Sequence, residues 1–161
     1  NFYNLTNQIC DAENLTAYEI SNHAKKGHEC LHNLNYWRGG SFLGIGPGAH
    51  GRLNIENKRF RTEAPSNPDI WYNLVKENKF KKFNCELISN IEQAEEYIMM
   101  GLRLNEGLNT SVYFNLMQRE LPQDHIDKLL KMKLIHIEGE ILKTTKTGKL
   151  LTNYIVRQLL C

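Results

Sequence analysis

The residues best suited to chemistry fall in two short stretches. His32-Asn33-Leu34-Asn35-Tyr36-Trp37 packs an imidazole, two amides, a phenol and an indole into six positions. Such a set can face a large flat ligand, with rings stacking and amides or hydroxyls orienting its polar edges. An imidazole such as His32 can also ligate a haem iron through a ring nitrogen. The plainer alternative makes Tyr36 and Trp37 core or rim anchors and His32 a hydrogen-bonding loop residue, and residue type alone favours it. The second stretch is Gly44-Ile45-Gly46-Pro47-Gly48-Ala49-His50-Gly51. Its glycines at a strand end expose N–H groups to a cofactor or a negative charge, although Pro47 removes one donor. The alternative is a tight turn after a buried strand. The stretch is neither a dinucleotide fingerprint nor a phosphate-binding P-loop, whose Lys-Ser/Thr ending is missing.

Other chemistry is weaker. His23, His28, Cys30 and His32 are of types that suit zinc or haem iron, but their spacing matches no strong metal signature. The four cysteines, Cys10, Cys30, Cys85 and Cys161, are too scattered for a zinc site or an iron–sulfur cluster. Glu95-Glu96 sits on a helix that reads as structural, and Glu120, Asp124 and Asp127 read as surface or capping groups. No serine-centred nucleophile motif is present, so a hydrolase is unsupported.

The elements that position these groups follow from periodicity. Residues 1–15 read as an amphipathic helix already in progress, with Leu5, Ile9 and Cys10 on one face. Thr16–Ser21 reads as a strand and Asn22–Asn35 as a long loop. Phe42–Gly46 reads as a buried strand. A small hairpin is expected around Glu56-Asn57, a short helix over Asp69–Lys76, and solvated basic surface over Lys76–Lys82. Ile91, Ala94, Ile98 and Leu102 recur at helical spacing behind a Ser89 or Asn90 cap. Gly107 closes the local turn after it. Thr110 or Ser111 caps a helix carrying Val112, Leu116 and Met117, and Asp124–Met132 forms another with Ile126, Leu129 and Leu130 inward. A hairpin around Gly139 follows. A last helix, begun by Thr145 or Thr147, turns Leu150, Leu151, Tyr154, Ile155 and Leu159 inward. Helix, hairpin, helix is a winged-helix-like order, but the shape alone establishes no function.

The 161 residues allow one sizeable domain or two small pieces, with 41% hydrophobic and 24% charged residues as in ordinary folded chains. A formal charge of +2 and the absence of a dense basic stripe argue against nucleic acid. No apolar run reaches the ~18–20 residues that span a bilayer, and no signal peptide is evident. Reduced thiols in the cytoplasm are therefore expected. The opening without methionine, inside a helix, is expected of a fragment, a split-gene product or a truncated form.

An ordered set of motifs resembles a known family. Tyr18-Glu19-Ile20-Ser21-Asn22-His23-Ala24, then Cys30, His32-Asn33 and Tyr36-Trp37, then Leu43–Gly51, resemble the second half of the oxygen-independent coproporphyrinogen III oxidase-like radical SAM family. Met99–Leu104 with Glu106-Gly107, and the Thr145/Gly148 pattern, extend the resemblance over nearly the whole chain. Its nearest branch is the haem-chaperone, HemW-like type. The chain departs from the pattern at Thr144, where leucine would stand, which bears on local packing.

The resemblance implies an α/β fold: the last strands and helices of a partial TIM-like radical SAM barrel over residues 1–85, followed by a small α+β winged-helix-like accessory domain over 86–161. It implies a [4Fe-4S] cluster and S-adenosylmethionine in the full-length protein. Their CxxxCxxC ligands are absent here, so no independent radical chemistry is expected and enzyme status stays open. It makes His32, Asn33, Tyr36 and Trp37 candidates for haem contact, with His32 the metal ligand. It places Gly44, Gly46, Gly48 and His50 towards the cofactor side. The expected function is haem binding and transfer; the alternative is a coproporphyrinogen III dehydrogenase converting propionates to vinyl groups. The partners implied are haem or porphyrin, the missing amino-terminal barrel half or an oligomeric contact, a respiratory haem-protein recipient and peripheral membrane association, without nucleic acid.

Overall fold

The computed structural model describes residues 2–79 and 83–160. Cys161 and part of the basic Lys76–Lys82 stretch lie outside them. The first helix, α1 (Phe2–Ala12), forms as its periodicity predicts, but none of its residues is buried. The expected strand over Thr16–Ser21 shrinks to β1 (Thr16–Ala17), paired antiparallel with β2 (His23–Ala24). The reason is Glu19. Its Oε1 accepts from the Ser21 N–H, the Ser21 hydroxyl and the Asn22 amide, which curls the chain back on itself.

The long loop expected over Asn22–Asn35 is also corrected. It contains β2, and α2 (Leu31–Trp37) begins inside it. Polar His32, Asn33 and Asn35 hid a helix whose inward anchor is the single buried Leu34. The expected buried strand at Phe42–Gly46 does not form. Phe42 alone makes a bridge, to Arg52, while Leu43 and Ile45 are 71% and 86% exposed. Among the described residues no further strand lies alongside to accept a ladder.

The expected hairpin is present as β3 (His50–Ile55) and β4 (Lys58–Glu63). Its turn residues Glu56 and Asn57 both take left-handed φ, +50° and +61°, which matches the right-handed twist of the strands. After α3 (Pro68–Lys76), capped by Asn67, comes a strand that periodicity missed. This is β5 (Asn84–Leu87), paired with β4 and exposed at all four positions; it spans the boundary drawn at residue 85.

The apolar core belongs to the second part of the chain. Helix α4 (Asn90–Gly101) starts in a complete Ser89/Glu92 capping box and buries Ala94 and Ile98. Asn109, rather than Thr110 or Ser111, caps α5 (Thr110–Met117). Then come α6 (Gln123–Lys131), which buries Ile126 and Leu129 but leaves Leu130 out, and the hairpin β7 (Ile135–Glu138) and β8 (Ile141–Thr144). With β6 (Leu108–Asn109) they form a sheet in the order β6-β8-β7. The expected single last helix is two: α7 (Lys146–Lys149) and α8 (Thr152–Leu160). The break exposes Leu150 and Leu151, whereas Ile155 and Leu159 complete the core. The architecture is thus mixed α/β with three open antiparallel sheets among the described residues.

Two substitutions test this packing. Thr144 is buried, and its hydroxyl has no partner among the described residues. Thr144→Val removes that desolvated group at constant shape and is expected to stabilise by about 1 kcal/mol, raising Tm by roughly 2–4 °C. Gly148 sits where a Cβ would stand 1.9 Å from the Leu134 carbonyl oxygen. Gly148→Ala is expected to destabilise by at least about 1–3 kcal/mol, as overpacking does. Thermal melts decide both.

Candidate functional site

A two-residue turn sets the face of every residue in the β3–β4 hairpin. Arg52 lies opposite Arg61, and Asn54 opposite Arg59, so all four side chains share one face of the sheet. That face meets α4, on which Glu92 and Glu96 stand one turn apart. Arg52 donates from Nε and Nη2 to Glu96 at 3.0 and 2.7 Å. Arg59 reaches the other oxygen of Glu96 at 3.7 Å. Arg61 pairs with Glu92 at 3.0 Å and with Glu86 at 2.8 Å. The Arg59 side chain is 12% exposed; burial first, and the Arg52 charge beside it, push its pKa down, while Glu96 opposes them.

Helix α2 closes over this joint. Tyr36 stacks on Phe42 with centroids 4.3 Å apart, and the Phe42–Arg52 bridge fixes that pair to β3. Arg38 makes a two-pronged ion pair to Glu106, both bonds 2.7 Å. Arg103 lies over the Trp37 ring at 4.6 Å, a cation–π contact that covers one face of the indole. Between these elements lies a cavity of about 350 Å³. Its polar lining includes Arg52, Arg59 and Glu96, with Arg38 and Gln93, and its apolar lining Tyr36, Phe42, Met100, Val112 and Leu116.

The structure therefore distributes the sequence-predicted residues unevenly. His32 and Tyr36 lie four residues apart on α2, with ring centroids 6.1 Å apart, and His32 is exposed. The Asn33 amide donates to the Tyr18 hydroxyl at 3.3 Å. Of the eight, Tyr36 lines the cavity. Gly44, Gly46, Gly48 and His50 occupy the connection into β3. Gly44 is pressed against the His50 backbone, where a Cβ would fall 2.4 Å from its oxygen, and Gly46 takes φ +113°. The N–H groups of Gly48 and Ala49 are already engaged, by the Pro65 and Gly46 carbonyls. His50 is exposed.

Sequence reasoning missed Arg52, Arg59 and Glu96. The signal was available in part, because alternate residues around the Glu56-Asn57 turn must share a face. What they face is set 44 residues away. Among the described residues no three His, Cys, Asp or Glu side chains gather as a metal site, and Cys10, Cys30 and Cys85 stand apart as free thiols. This donor set does not fit a [4Fe-4S] cluster.

The model of the HemN C-terminal domain family matches residues 88–151, the region that holds most of the apolar core. The chain carries the C-terminal domain of the HemN/HemW-like radical SAM family. Over 98% of its length it is 31% identical to a Dictyostelium discoideum mitochondrial radical S-adenosyl methionine domain-containing protein 1. Over 95% it is 30% identical to the haem chaperone HemW of Bacillus subtilis. It superposes on Escherichia coli coproporphyrinogen III oxidase, HemN, with a TM-score of 0.68 over 97% of the chain at 14% identity, which shows a shared fold. The chain spans about two fifths of the length of each, 41%, 40% and 39%. Within this HemN/HemW-like region no described helix is long and apolar enough to cross a membrane.

The joint yields two predictions. Glu96→Gln leaves two guanidiniums facing each other without their shared charge and is expected to destabilise by about 1–3 kcal/mol. Glu95→Gln, on the exposed side of the same helix, should stay within about 0.5 kcal/mol. The second concerns acid. Hydrogen bonding to Arg38 first, and its charge, hold Glu106 below the ordinary carboxylate value against the effect of burial. The folded state therefore binds this proton less tightly than the unfolded chain does. The pair's contribution is complete above about pH 4.3, the ordinary glutamate pKa, and is lost as pH falls through the lower folded value. Arg38→Ala is expected to cost less than about 1 kcal/mol at pH 7, since the pair is half-exposed. The difference from the parent should vanish in acid, as urea melts across pH would show.

Proposed function

We propose that this chain is the haem-contacting, carboxy-terminal portion of a radical SAM protein of the haem-chaperone type, and that its cargo meets it on α2. The observation that carries the reading is the placement of His32 and Tyr36 one helical turn apart. The imidazole is open to solvent, and the phenol ring lines a cavity that also has apolar lining residues. In this reading His32 donates a ring nitrogen to the haem iron, Tyr36 lies along the macrocycle, and Asn33 and Trp37 hold the helix in place. Trp37 serves through its contact with Arg103, and Asn33 through Tyr18. Gly44, Gly46, Gly48 and His50 form the turn that seats Phe42 under Tyr36.

The names of the relatives support haem binding and transfer over the alternative. Bacillus subtilis HemW is called a haem chaperone and is 30% identical, whereas likeness to the coproporphyrinogen oxidase is carried by fold at 14%. The first 79 residues leave Phe2, Leu5, Ile9, Leu31, Leu43 and Ile45 exposed. In this reading they are the last strands and helices of a TIM-like barrel whose other elements cover these faces. The cluster and S-adenosylmethionine belong to that remainder, and residues 86–161 are a winged-helix-like accessory domain. A respiratory haem protein is the recipient, in the cytoplasm or at the membrane surface.

The test is a visible-absorption titration with haem. The chain is expected to give a saturable Soret shift, and His32→Ala to weaken it at least tenfold. A shift unchanged by the substitution removes His32 as the ligand. Absence of any saturable shift removes the haem-contacting reading of this chain.

A further inference from the structure

The cavity beside Tyr36 carries an unbalanced charge. Arg52 is fully engaged: Nε and Nη2 bind Glu96, and Nη1 donates to the Gly51 carbonyl at 3.1 Å. Arg59 is not. Its Nη1 donates to the Gly39 carbonyl at 2.6 Å and to Asn54 at 3.4 Å, its Nε stands 3.7 Å from Glu96, and its Nη2 has no acceptor among the described residues. Two guanidiniums thus share one carboxylate at the cavity, leaving one positive charge over. The third, Arg38, is neutralised by Glu106. Tyr97 presents only its ring, because its hydroxyl accepts from the Asn109 N–H at 2.8 Å and donates to the Asn109 carbonyl at 3.2 Å.

The same cavity is also lined by apolar side chains, Phe42, Met100, Val112 and Leu116, with Tyr36 stacked on Phe42. A ligand that satisfies both has a carboxylate on an apolar body. A guanidinium with a free N–H edge offers a carboxylate a charge-assisted bond. Phosphate or a nucleotide would leave the apolar wall unmatched, and a neutral hydrophobe would leave Arg59 unmatched. The volume, about 350 Å³, suits the edge of a large ligand whose bulk lies outside. That edge would enter past Tyr36, one turn along α2 from His32.

We propose that this cavity is a carboxylate-accepting subsite that takes the propionate edge of a tetrapyrrole held at His32, with Arg59 as the carboxylate's partner. The inference rests on the haem-contacting reading of α2 and adds to it the residue that selects the acid side chain. It also assigns Glu96 a positioning role: by fixing Arg52 and drawing in Arg59, it aims the surplus charge at the cavity.

The experiment compares haem with haem dimethyl ester, which has the same ring and iron but no carboxylate. Both are titrated into the chain, into Arg59→Gln and into His32→Ala, by Soret absorption, with far-UV circular dichroism confirming that each variant is folded. In the parent, esterification should weaken binding at least tenfold. Arg59→Gln should weaken haem by a similar factor and leave the ester unchanged, while His32→Ala weakens both. Equal binding of haem and ester by the parent overturns the subsite while leaving haem binding intact, and this comparison decides even where Arg59→Gln fails to fold. No saturable shift with either ligand overturns the haem reading and the subsite with it. A calorimetric titration with 3-phenylpropionate separates the remaining source of such a group. Arg59-dependent binding that competes with haem supports the proposal, whereas Arg59-dependent binding that does not compete assigns the cavity to a free small carboxylate and overturns it.

Discussion

The contact between the basic face of the β3–β4 hairpin and the acidic stripe of α4 determines where everything else can lie. Arg52 and Arg59 converge on Glu96 and Arg61 on Glu92, so the first part of the chain is held to the second largely by ion pairs. This is unusual for a helix–sheet seam, which is ordinarily apolar. The reason is visible in the distribution of burial. The residues sealed from solvent in the apolar core run from Ala94 to Leu159, whereas α1 and α3 bury nothing. With little apolar surface to press together, the seam relies on directional, charge-assisted bonds, of which those to Glu96 are the most shielded from solvent and the Arg61–Glu92 pair is more exposed.

A second polar joint lies just beyond the C-terminal end of α4. Glu19 is fully buried and bridges to Leu104 through its backbone. The Asn105 N–H donates to the Tyr18 carbonyl. Burial pushes the Lys149 ammonium pKa down, while the Glu19 charge acts to keep it up. The first part is therefore pinned at two places, and α2 lies between them. That arrangement explains how a seven-residue helix with one buried side chain holds its orientation. Trp37 is clasped by Arg103 from the end of α4, Arg38 by Glu106, and Tyr36 by Phe42.

How legible this was in the sequence depended on whether a segment makes its own case. Helix α4 announces itself, because its apolar period and its Ser89/Glu92 box are local and agree. The β3–β4 and β7–β8 hairpins do likewise through their turns. Helix α2 was hidden because its face is built from Asn, His and Tyr, whose polarity reads as loop. Strand β5 was hidden because it is an exposed edge with no alternation. Leu43 and Ile45 misled in the other direction, since an apolar run beside glycines suggests a buried strand, and nothing here buries it. Of the site, the ring-bearing residues of α2 were readable as chemistry. The cavity was not, because its charged side is assembled from two strands and a helix whose partners lie some forty residues apart.

The two kinds of seam also make ligand and structure interdependent. Two guanidiniums against one carboxylate repel each other, and that repulsion is held in check by Glu96 and by the geometry of the hairpin. In the proposed reading, a carboxylate arriving at Arg59 supplies the missing charge, so it is drawn in and at the same time relieves the repulsion in the joint that forms its binding site. Anything that binds only the assembled seam stabilises it in proportion to its saturation. Because the attraction is electrostatic and partly exposed, salt weakens ligand and seam together, whereas the apolar core from Ala94 to Leu159 is indifferent to it. In the proposed reading, the contact surface on α2 is thus mounted on the part of the chain whose position is most responsive to charge, and a cargo that carries carboxylates completes the structure that receives it.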